Sequence, residues 1–285
     1  MKFDKTELAP GLYFVGVPIG TARDITLRAL DTLASADLLA AEDTRSLRRL
    51  MEIHGVPLDG RKVLALHDHS GTSVQERLIA AIREGKSVAY ASEAGMPLIA
   101  DPGFELSRAA AEAAVMQTCA PGPSAVLTAL ALGALPTDAF FFAGFLPNSK
   151  SARIAALEKL RDVPGTLVFY ESPKRLGAML RDAATALGVG RKAAMCRELT
   201  KKFEEIQRDT LENLAELYQA KAPKGEVVVL IDRSRSDSVN HLDLETDLQR
   251  ALTDMSMRDA VDLVAQAHGL PRRQVYQAAL ALGKG

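Results

Sequence analysis

Glu42 and Asp43 stand side by side in LLAAEDTRSLRR, where a short apolar run that reads as a strand gives way to a helical pattern. Carboxylates at a strand end reach the crevice where open α/β sheets take their ligands, so either could accept a proton there. Asp43 is the better placed if side chains still alternate along an extended chain. The same pair could equally cap the next helix through Asp43 and Thr44. Arg45, Arg48 and Arg49 follow on that helix, and between positions 44 and 62 five basic side chains stand against two acidic ones. Such a patch suits a phosphate backbone or a solvated helix face, with Arg45 also placed to orient a carboxylate or a target phosphate. His67, Asp68 and His69 follow another strand. An H-x-H there lacks third and fourth ligands at a recognised spacing, so no metal is expected and a hydrogen-bonding role at the crevice rim fits better. No H-E-x-x-H, no G-x-S-x-G and no nucleophilic cysteine with a paired histidine occurs.

Three loops rich in Gly and Pro, GVPIGT (16–21), SEAGMPLIADPG (92–103) and APGPSA (120–125), each follow a strand-like run. Gly and Ala let a ligand approach the backbone closely, and Pro holds a loop open without further entropy loss. Pro18 lacks an N–H, and neither G-x-G-x-x-G nor Gly-Lys-Ser/Thr is present, which disfavours a phosphate cradle. Three such loops at one sheet edge indicate a ligand crevice. Farther on, YESPKR and CRELTKKFEE place Glu171, Lys174, Arg175, Arg197, Lys201 and Lys202 at strand ends, as a basic cleft or as an ordinary antiparallel turn. With 5% aromatics and no Trp, reading bases by stacking them on a sheet is disfavoured.

Positioning these residues requires a sheet whose strands end on one side. From Leu12 the chain alternates LYFVGV, a helix over 24–35, DLLAA, a helix over 44–54 and KVLAL. A helix opened by Ser73 and Glu76 at capping-box spacing follows, then SVAYAS, a helix over 104–115, and TCAPGPSAV, where Ser124 starts another helix. This rhythm predicts crossover units, a mostly parallel sheet and a first domain over 1–133. From 134 to 233 the grammar changes. FFFAGF, TLVFYES, KAAMCREL, EEIQRDT and GEVVVLIDR read as five strands, the first three separated by helices and the last preceded by a helix over 211–219. Only TKKF separates KAAMCREL from EEIQRDT, which predicts an antiparallel pair and a mixed sheet. RSRSDSVNH reads as a linker, opening a small helical unit over 234–285. There Ser256 and Asp259 can cap a helix carrying Ala260, Leu263, Val264 and Ala267 at helical spacing. Gly269 ends it, and Pro271 opens another with Arg272 and Arg273 in its first turn. The pattern is that of a helix-turn-helix, or of a helical hairpin packing on a partner subunit.

At ~150 residues per domain, 285 residues suit about two domains with proper cores. A composition of 47% hydrophobic and 25% charged residues excludes a disordered or fibrous chain. Lys+Arg is 35 against 36 Asp+Glu, a formal charge of −1, so any nucleic-acid contact must use local patches. Cys119 and Cys196 sit in apolar strand-like surroundings without C-x-x-C spacing, which argues against a disulfide framework and fits a reducing cytoplasm. The N-terminal stretch lacks the apolar core of a signal peptide and no run approaches ~18 apolar residues, so no membrane span is expected.

In this order, VPIGTARDITLRAL, AAEDTR, LHDHS, SEAGMPLIADPG, PGPSA, FYESPKR, RELTK and KGEVVV resemble the motifs of the tetrapyrrole methylase superfamily, from about Leu12 to the C-terminal helices. Within it the likeness is to the branch that methylates the 2′-hydroxyl of a cytidine ribose in small-subunit (16S) ribosomal RNA. The resemblance implies two unlike α/β domains with S-adenosylmethionine in the cleft between them, a small C-terminal helical unit, a homodimer and no metal. By motif it implies cofactor contacts from Pro18, from Ser92, Glu93, Ala94, Gly95, Met96 and Ile99, and from Ser124 and Ala125, with Glu171, Leu199 and Gly225 closing the cleft. The usual S-D-A-G-T-P loop departs here at Glu93 and Met96, which leaves the backbone contacts of Ala94 and Gly95 in place. The implied partner is small-subunit ribosomal RNA or the assembled small subunit. Local positive clusters then assign RNA contacts to Arg45, Arg48, Arg49, Lys201 and Lys202, with Arg272 and Arg273 in the C-terminal unit. Two other functions fit the same residues: a porphyrinoid C-methyltransferase, which the basic patches and extra helices disfavour, and a non-enzymatic helix-turn-helix protein whose α/β part senses a ligand.

Overall fold

The computed structural model describes residues 3–66, 72–100, 103–219, 222–233, 241–268 and 270–282. His67, Asp68 and His69, most of the RSRSDSVNH stretch and Gly269 lie outside the described residues. Two compact units are present, Met1–Arg233 and Ser234–Gly285.

The first sheet is parallel throughout, in the order β3-β2-β4-β1-β5. Its strands are β1 (Gly11–Val15), β2 (Leu38–Ala41), β3 (Val63–Ala65), β4 (Ser87–Ala91) and β5 (Gln117–Ala120). Helices α1 (Leu27–Ser35), α2 (Thr44–Ile53), α3 (Thr72–Arg83) and α4 (Phe104–Glu112) connect them. A parallel sheet is covered on both faces, so its central strands β1 and β4 are buried at every position. In β1, Tyr13 and Val15 pack with Leu30, Leu33, Leu47 and Met51, while Leu12 and Phe14 pack with Leu78, Ile82 and Leu106. Two helix starts differ from the sequence expectation. A short 3-10 turn over Ala22–Asp24 precedes α1, whose cap is Thr26 with its side chain accepting from the Ala29 N–H at 3.1 Å. Ser73 lies inside α3 rather than at its cap, because that helix already begins at Thr72.

The second sheet is mixed, in the order β6-β7-β10-β8-β9. Its strands are β6 (Phe140–Phe145), β7 (Thr166–Glu171), β8 (Lys192–Arg197), β9 (Glu205–Thr210) and β10 (Val227–Ile231). β8 and β9 pair antiparallel, as their short connection predicts. β10 inserts between β7 and β8, antiparallel to both, setting Val228 opposite Tyr170 on one side and Cys196 on the other. One face packs under α6 (Lys150–Lys159), α7 (Leu176–Leu187) and α8 (Leu211–Leu217) through Leu157, Leu180, Leu211 and Leu214. The other face, with Val168, Ala194, Val228 and Leu230, is covered by Val126, Ala129 and Leu130 of α5 (Ala125–Gly133). Ile19 of the loop after β1 joins this cluster. The last helix before the second sheet therefore packs against that sheet.

The C-terminal unit has three helices, α9 (His241–Asp254), α10 (Met257–His268) and α11 (Arg272–Leu282). Ser256 caps α10 as expected, its Oγ accepting from the Asp259 N–H at 3.3 Å and donating to the Asp259 carboxylate at 2.6 Å. The buried face of α10 is Ala260, Val261, Val264 and Ala265, so the expected stripe is turned toward 261 and 265; Leu263 is 51% exposed and Ala267 is also outside. α9 supplies Leu244, Leu248 and Ala251 to this core, and α11 supplies Val275 and Ala279. Among the described residues no helix is long and apolar enough to cross a membrane.

Candidate functional site

The three Gly/Pro loops leave the carboxyl ends of β1, β4 and β5, which are neighbours in the sheet, β1 lying between β4 and β5. They are locked to one another by backbone. Val17 donates to the Gly95 carbonyl at 2.9 Å and Gly95 donates back at 3.1 Å, while Gly16 donates to the Ala120 carbonyl at 2.9 Å. Gly16 and Gly122 cross so closely that a Cβ on Gly16 would stand 2.7 Å from the Gly122 nitrogen, and one on Gly122 would stand 2.9 Å from the Gly16 Cα. Gly95 holds a left-handed backbone at φ 76°. The Met96 sulfur accepts from the Gly122 N–H at 3.2 Å, tying the second loop to the third. Ser124 caps α5 by accepting from the Leu127 N–H at 3.4 Å.

These loops face the ends of β7, β8 and β10 across a cavity of about 670 Å³. Its lining holds Pro18, Glu93, Ala94, Gly95, Met96, Ile99, Ser124, Ala125, Glu171, Leu199 and Gly225, eleven of the twelve positions the motifs assign to the cofactor. Ser92 is the exception. It lies buried beneath the loop, 3.4 Å from the carbonyl oxygens of Ala94 and Gly95, and contributes to a neighbouring groove instead. Between the two walls the Thr21 N–H donates to Thr200 Oγ1 at 3.2 Å.

Glu171 is the buried acid of the cavity. One oxygen accepts from the Ser172 N–H at 2.7 Å and lies 3.2 Å from Arg175 Nε, while Oε2 is buried without a hydrogen-bond partner. Burial pushes its carboxyl above the usual range, against the pull of the Ser172 N–H and Arg175. Cys196, also in the lining, has its thiol pushed up to about 11 by burial, so it is a neutral wall group.

The acidic pair of the sequence reading divides its work differently. Asp43 is the N-cap of α2: its Oδ1 accepts from the backbone of Arg45 at 2.7 Å and Ser46 at 3.3 Å, and its Oδ2 lies 3.3 Å from the Arg45 guanidinium. The Arg45 side chain and these backbone bonds hold it below the ordinary carboxylate range, which makes it a weak proton acceptor. Glu42 Oε2 accepts from the Glu93 N–H at 3.1 Å and so holds the second loop.

The cations divide as well. Arg45 is 91% exposed and Arg48 and Lys202 are exposed, while Arg49 pairs with Glu52 at 2.8 Å on the surface. Lys201 is half-buried between two carboxylates, Glu198 at 3.0 Å and Glu226 at 2.8 Å. Burial works to lower its pKa, but the bonds to Glu226 and Glu198 outweigh it and raise it. Glu198 also accepts from the Glu226 N–H at 3.0 Å. Glu198 and Thr200 adopt left-handed backbones at φ 51° and 63°, strained positions that flank Leu199 where it lines the cavity. In the C-terminal unit Arg272 pairs with Asp262 at 2.5 Å and Arg273 is exposed. Among the described residues no group of three His, Cys, Asp or Glu side chains is placed to hold a metal.

Residues 11–215 match the family described as Tetrapyrrole (Corrin/Porphyrin) Methylases. The chain belongs to that family. Residues 240–283 match a second description, the RsmI C-terminal HTH domain. Relatives of this tetrapyrrole methylase include the Ribosomal RNA small subunit methyltransferase I of Mesorhizobium japonicum, 44% identical over 96% of this chain and 93% of the relative. The protein of that name from Haemophilus influenzae is 37% identical over 97% and 98%. Among solved structures, the uroporphyrin-III C-methyltransferase of Thermus thermophilus, complexed with S-adenyl homocysteine, superposes with a TM-score of 0.54 at 19% identity, covering 77% of this chain and 96% of that one. That likeness concerns the tetrapyrrole methylase fold.

Within this tetrapyrrole methylase chain, sequence reasoning passed over three parts of the site. Phe145 and Tyr170 line the cavity, their rings 5.7 Å apart edge to face, and read in the sequence only as strand residues. Val228 lines it too, through the position of β10 between β7 and β8. Glu226 is the third, visible in KGEVVV only as a charge before a strand.

Proposed function

We propose that the protein transfers a methyl group from S-adenosylmethionine to the 2′-hydroxyl of a cytidine ribose in small-subunit ribosomal RNA. The observation that carries the reading is the cavity itself, where a glycine cradle and a buried unpartnered carboxylate oxygen meet, in a chain whose near full-length relatives bear the name Ribosomal RNA small subunit methyltransferase I. The residues present fit the cofactor. Glu171 and Glu226 give the cavity an acidic side that suits a sulfonium and an ammonium, and Glu171 Oε2 offers a buried acceptor. When bound, the cofactor supplies an electrophilic methyl group. Pro18, Ala94, Gly95, Ser124 and Ala125 hold it by backbone approach, Leu199 and Gly225 close the facing wall, and Phe145 and Tyr170 exclude water there. Alignment of acceptor and methyl is the main source of rate, aided by removal of one proton. A homodimer, acting in the cytoplasm where ribosomal RNA is found, belongs to the same reading and rests on the family resemblance.

Methyl transfer tests this directly. Tritiated S-adenosylmethionine with small subunits from cells lacking the protein should label a 2′-O-methylcytidine in the RNA; absence of label in RNA, or label in a porphyrinoid instead, rejects the reading.

The exposed cations Arg45, Arg48 and Lys202 hold RNA phosphates, while Lys201 acts through the cofactor wall. Replacing each exposed cation by Ala should flatten the slope of log affinity against log salt by about 0.7 per lost contact on single-stranded RNA. Lys201→Met should leave that slope unchanged and weaken cofactor binding, because Glu198 and Glu226 then repel each other beside Gly225. Salt titrations of RNA binding and calorimetry with S-adenosylmethionine decide it: slopes at the wild-type value in the Arg45, Arg48 and Lys202 variants would return these side chains to a solvated face.

A further inference from the structure

The loop after β4 separates two spaces rather than lining one. Beside the cavity runs a second groove of about 530 Å³ along α2, and the two share Pro18, Gly20, Ser46 and Glu93. The groove is lined by Leu50 and the half-exposed Ile53 and by Arg45 and Arg49, which pair with Asp43 and Glu52 but stay largely exposed. Apolar side chains beside two cations match a splayed-out nucleotide, with its base on the apolar part and its phosphates at the rim. Continuity with the cofactor cavity puts the nucleotide's ribose at the shared boundary.

Among the described residues Glu93 is the one carboxylate common to the two linings. The competing acids are already engaged. Asp43 caps α2 and pairs with Arg45, Glu226 accepts from Lys201, and Glu171 lies in the cavity lining and not in the groove. Glu93 itself is exposed, its backbone is fixed by Glu42, and among the described residues its carboxylate has neither a hydrogen bond nor an ion pair. Among the described residues, position and availability coincide in this side chain alone.

The geometry points to Glu93 as the group that takes the proton of the acceptor hydroxyl, from a ribose seated in the groove along α2. This rests on the function proposed above. The ribose oxygen bonds to the methyl carbon as the carbon–sulfur bond breaks, the electron pair of that bond staying on sulfur and turning the sulfonium into a neutral thioether. The O–H bond breaks with its pair kept by oxygen, and the proton passes to the Glu93 carboxylate and from there to water. The exposed Glu93 is placed to return it to solvent between turnovers.

Single-turnover methyl transfer over a range of pH, with cofactor and RNA affinities measured separately using S-adenosylhomocysteine in place of the donor, tests the assignment. Glu93→Gln should transfer at least ~10²-fold more slowly, keep both affinities within a few-fold, and lose the acid limb of the pH–rate profile. Glu93→Asp should keep that limb and part of the rate. Ile53→Asp, on the exposed wall of the groove, should weaken RNA binding about tenfold, the effect of ~1.4 kcal/mol on an equilibrium, with cofactor affinity unchanged. A Glu93→Gln rate within a few-fold of wild type, or a loss explained wholly by weaker cofactor binding, overturns Glu93 as proton acceptor. Unchanged RNA affinity in Ile53→Asp overturns the groove. Failure of the wild-type protein to methylate RNA at all overturns the proposed function along with this inference, so the two failures are told apart by the wild-type control.

Discussion

Gly16→Ala is expected to bind S-adenosylmethionine at least ~100-fold more weakly than the wild type, because it forces apart two loops that hold the ligand from either side. The added Cβ would lie 2.7 Å from the Gly122 nitrogen and 2.8 Å from its Cα, and 2.9 Å from the Met96 sulfur. The first two neighbours are backbone, which cannot turn away as a long side chain can. The strand end carrying Gly16 is held by its bond to Ala120, and Val17 is bonded both ways to Gly95. The displacement must therefore pass into the loops bearing Pro18, Gly95 and Ser124, all of which line the cavity. Overpacking of this kind also costs about 1–3 kcal/mol of stability, so a thermal melt must show that the variant is folded at the temperature of the titration. Gly190→Ala is the matched control, since a Cβ there meets nothing within 4 Å and its backbone is not left-handed. Calorimetry giving Gly16→Ala an affinity within a few-fold of the control would mean that the crossing of these loops does not shape the site.

That crossing shows where sequence reading succeeds and where it stops. The three loops were legible because Gly and Pro after an apolar run mark a chain leaving a sheet, and parallel strands deliver all such exits to one edge. The facing wall was less so. Local patterning shows that VVVLI is a strand but not that it pairs between β7 and β8, since strand order depends on contacts far apart in sequence. Lys201 illustrates the same limit for charge: RELTKK reads as a basic cluster, and only the fold brings Glu226 from 25 residues away to engage it. Asp43 is a case where two readings of one residue are equally open in sequence, and the structure shows one of them, the cap of α2. In the C-terminal unit α9 follows directly on a Ser-rich stretch that reads as a linker, which hides the helical spacing of Leu244, Leu248 and Ala251. The buried face of α10 was turned because a helix in a three-helix unit meets two neighbours, which widens its apolar stripe to Val261 and Ala265.

The second large effect is on stability and lies behind the cavity wall. Arg153 of α6 and Asp182 of α7 form an ion pair in which each side chain is only 7% exposed, with Nε and Nη2 both 2.7 Å from one carboxylate oxygen. Arg153 also donates from Nη1 to the carbonyl of Asn148 at 3.0 Å. The turn it grips, 146–148, is gripped from the other side by Arg175, which donates to the Leu146 carbonyl at 2.7 Å and lies against Glu171 in the cavity lining. Arg153→Met leaves the Asp182 carboxylate buried without its cation, and breaking a buried pair in this way costs about 3–5 kcal/mol. Replacing both partners, as Arg153→Met with Asp182→Leu, removes the stranded charge as well as the pair and should recover a large part of the loss, since a buried pair and an apolar isostere are often close in free energy. Urea unfolding separates the outcomes: the single variant should lower the midpoint at unchanged slope, and the double variant should lie between it and the wild type. If instead the single variant costs less than about 1 kcal/mol, the pair is solvated enough to be dispensable. If the double variant is worse than the single one, the site of Asp182 does not accept an apolar side chain and the stranded charge is not the main cost; both variants lose the bonds from Arg153 to the 146–148 turn, so cofactor affinity should fall alike in both, because that turn supports Arg175 and, through it, Glu171.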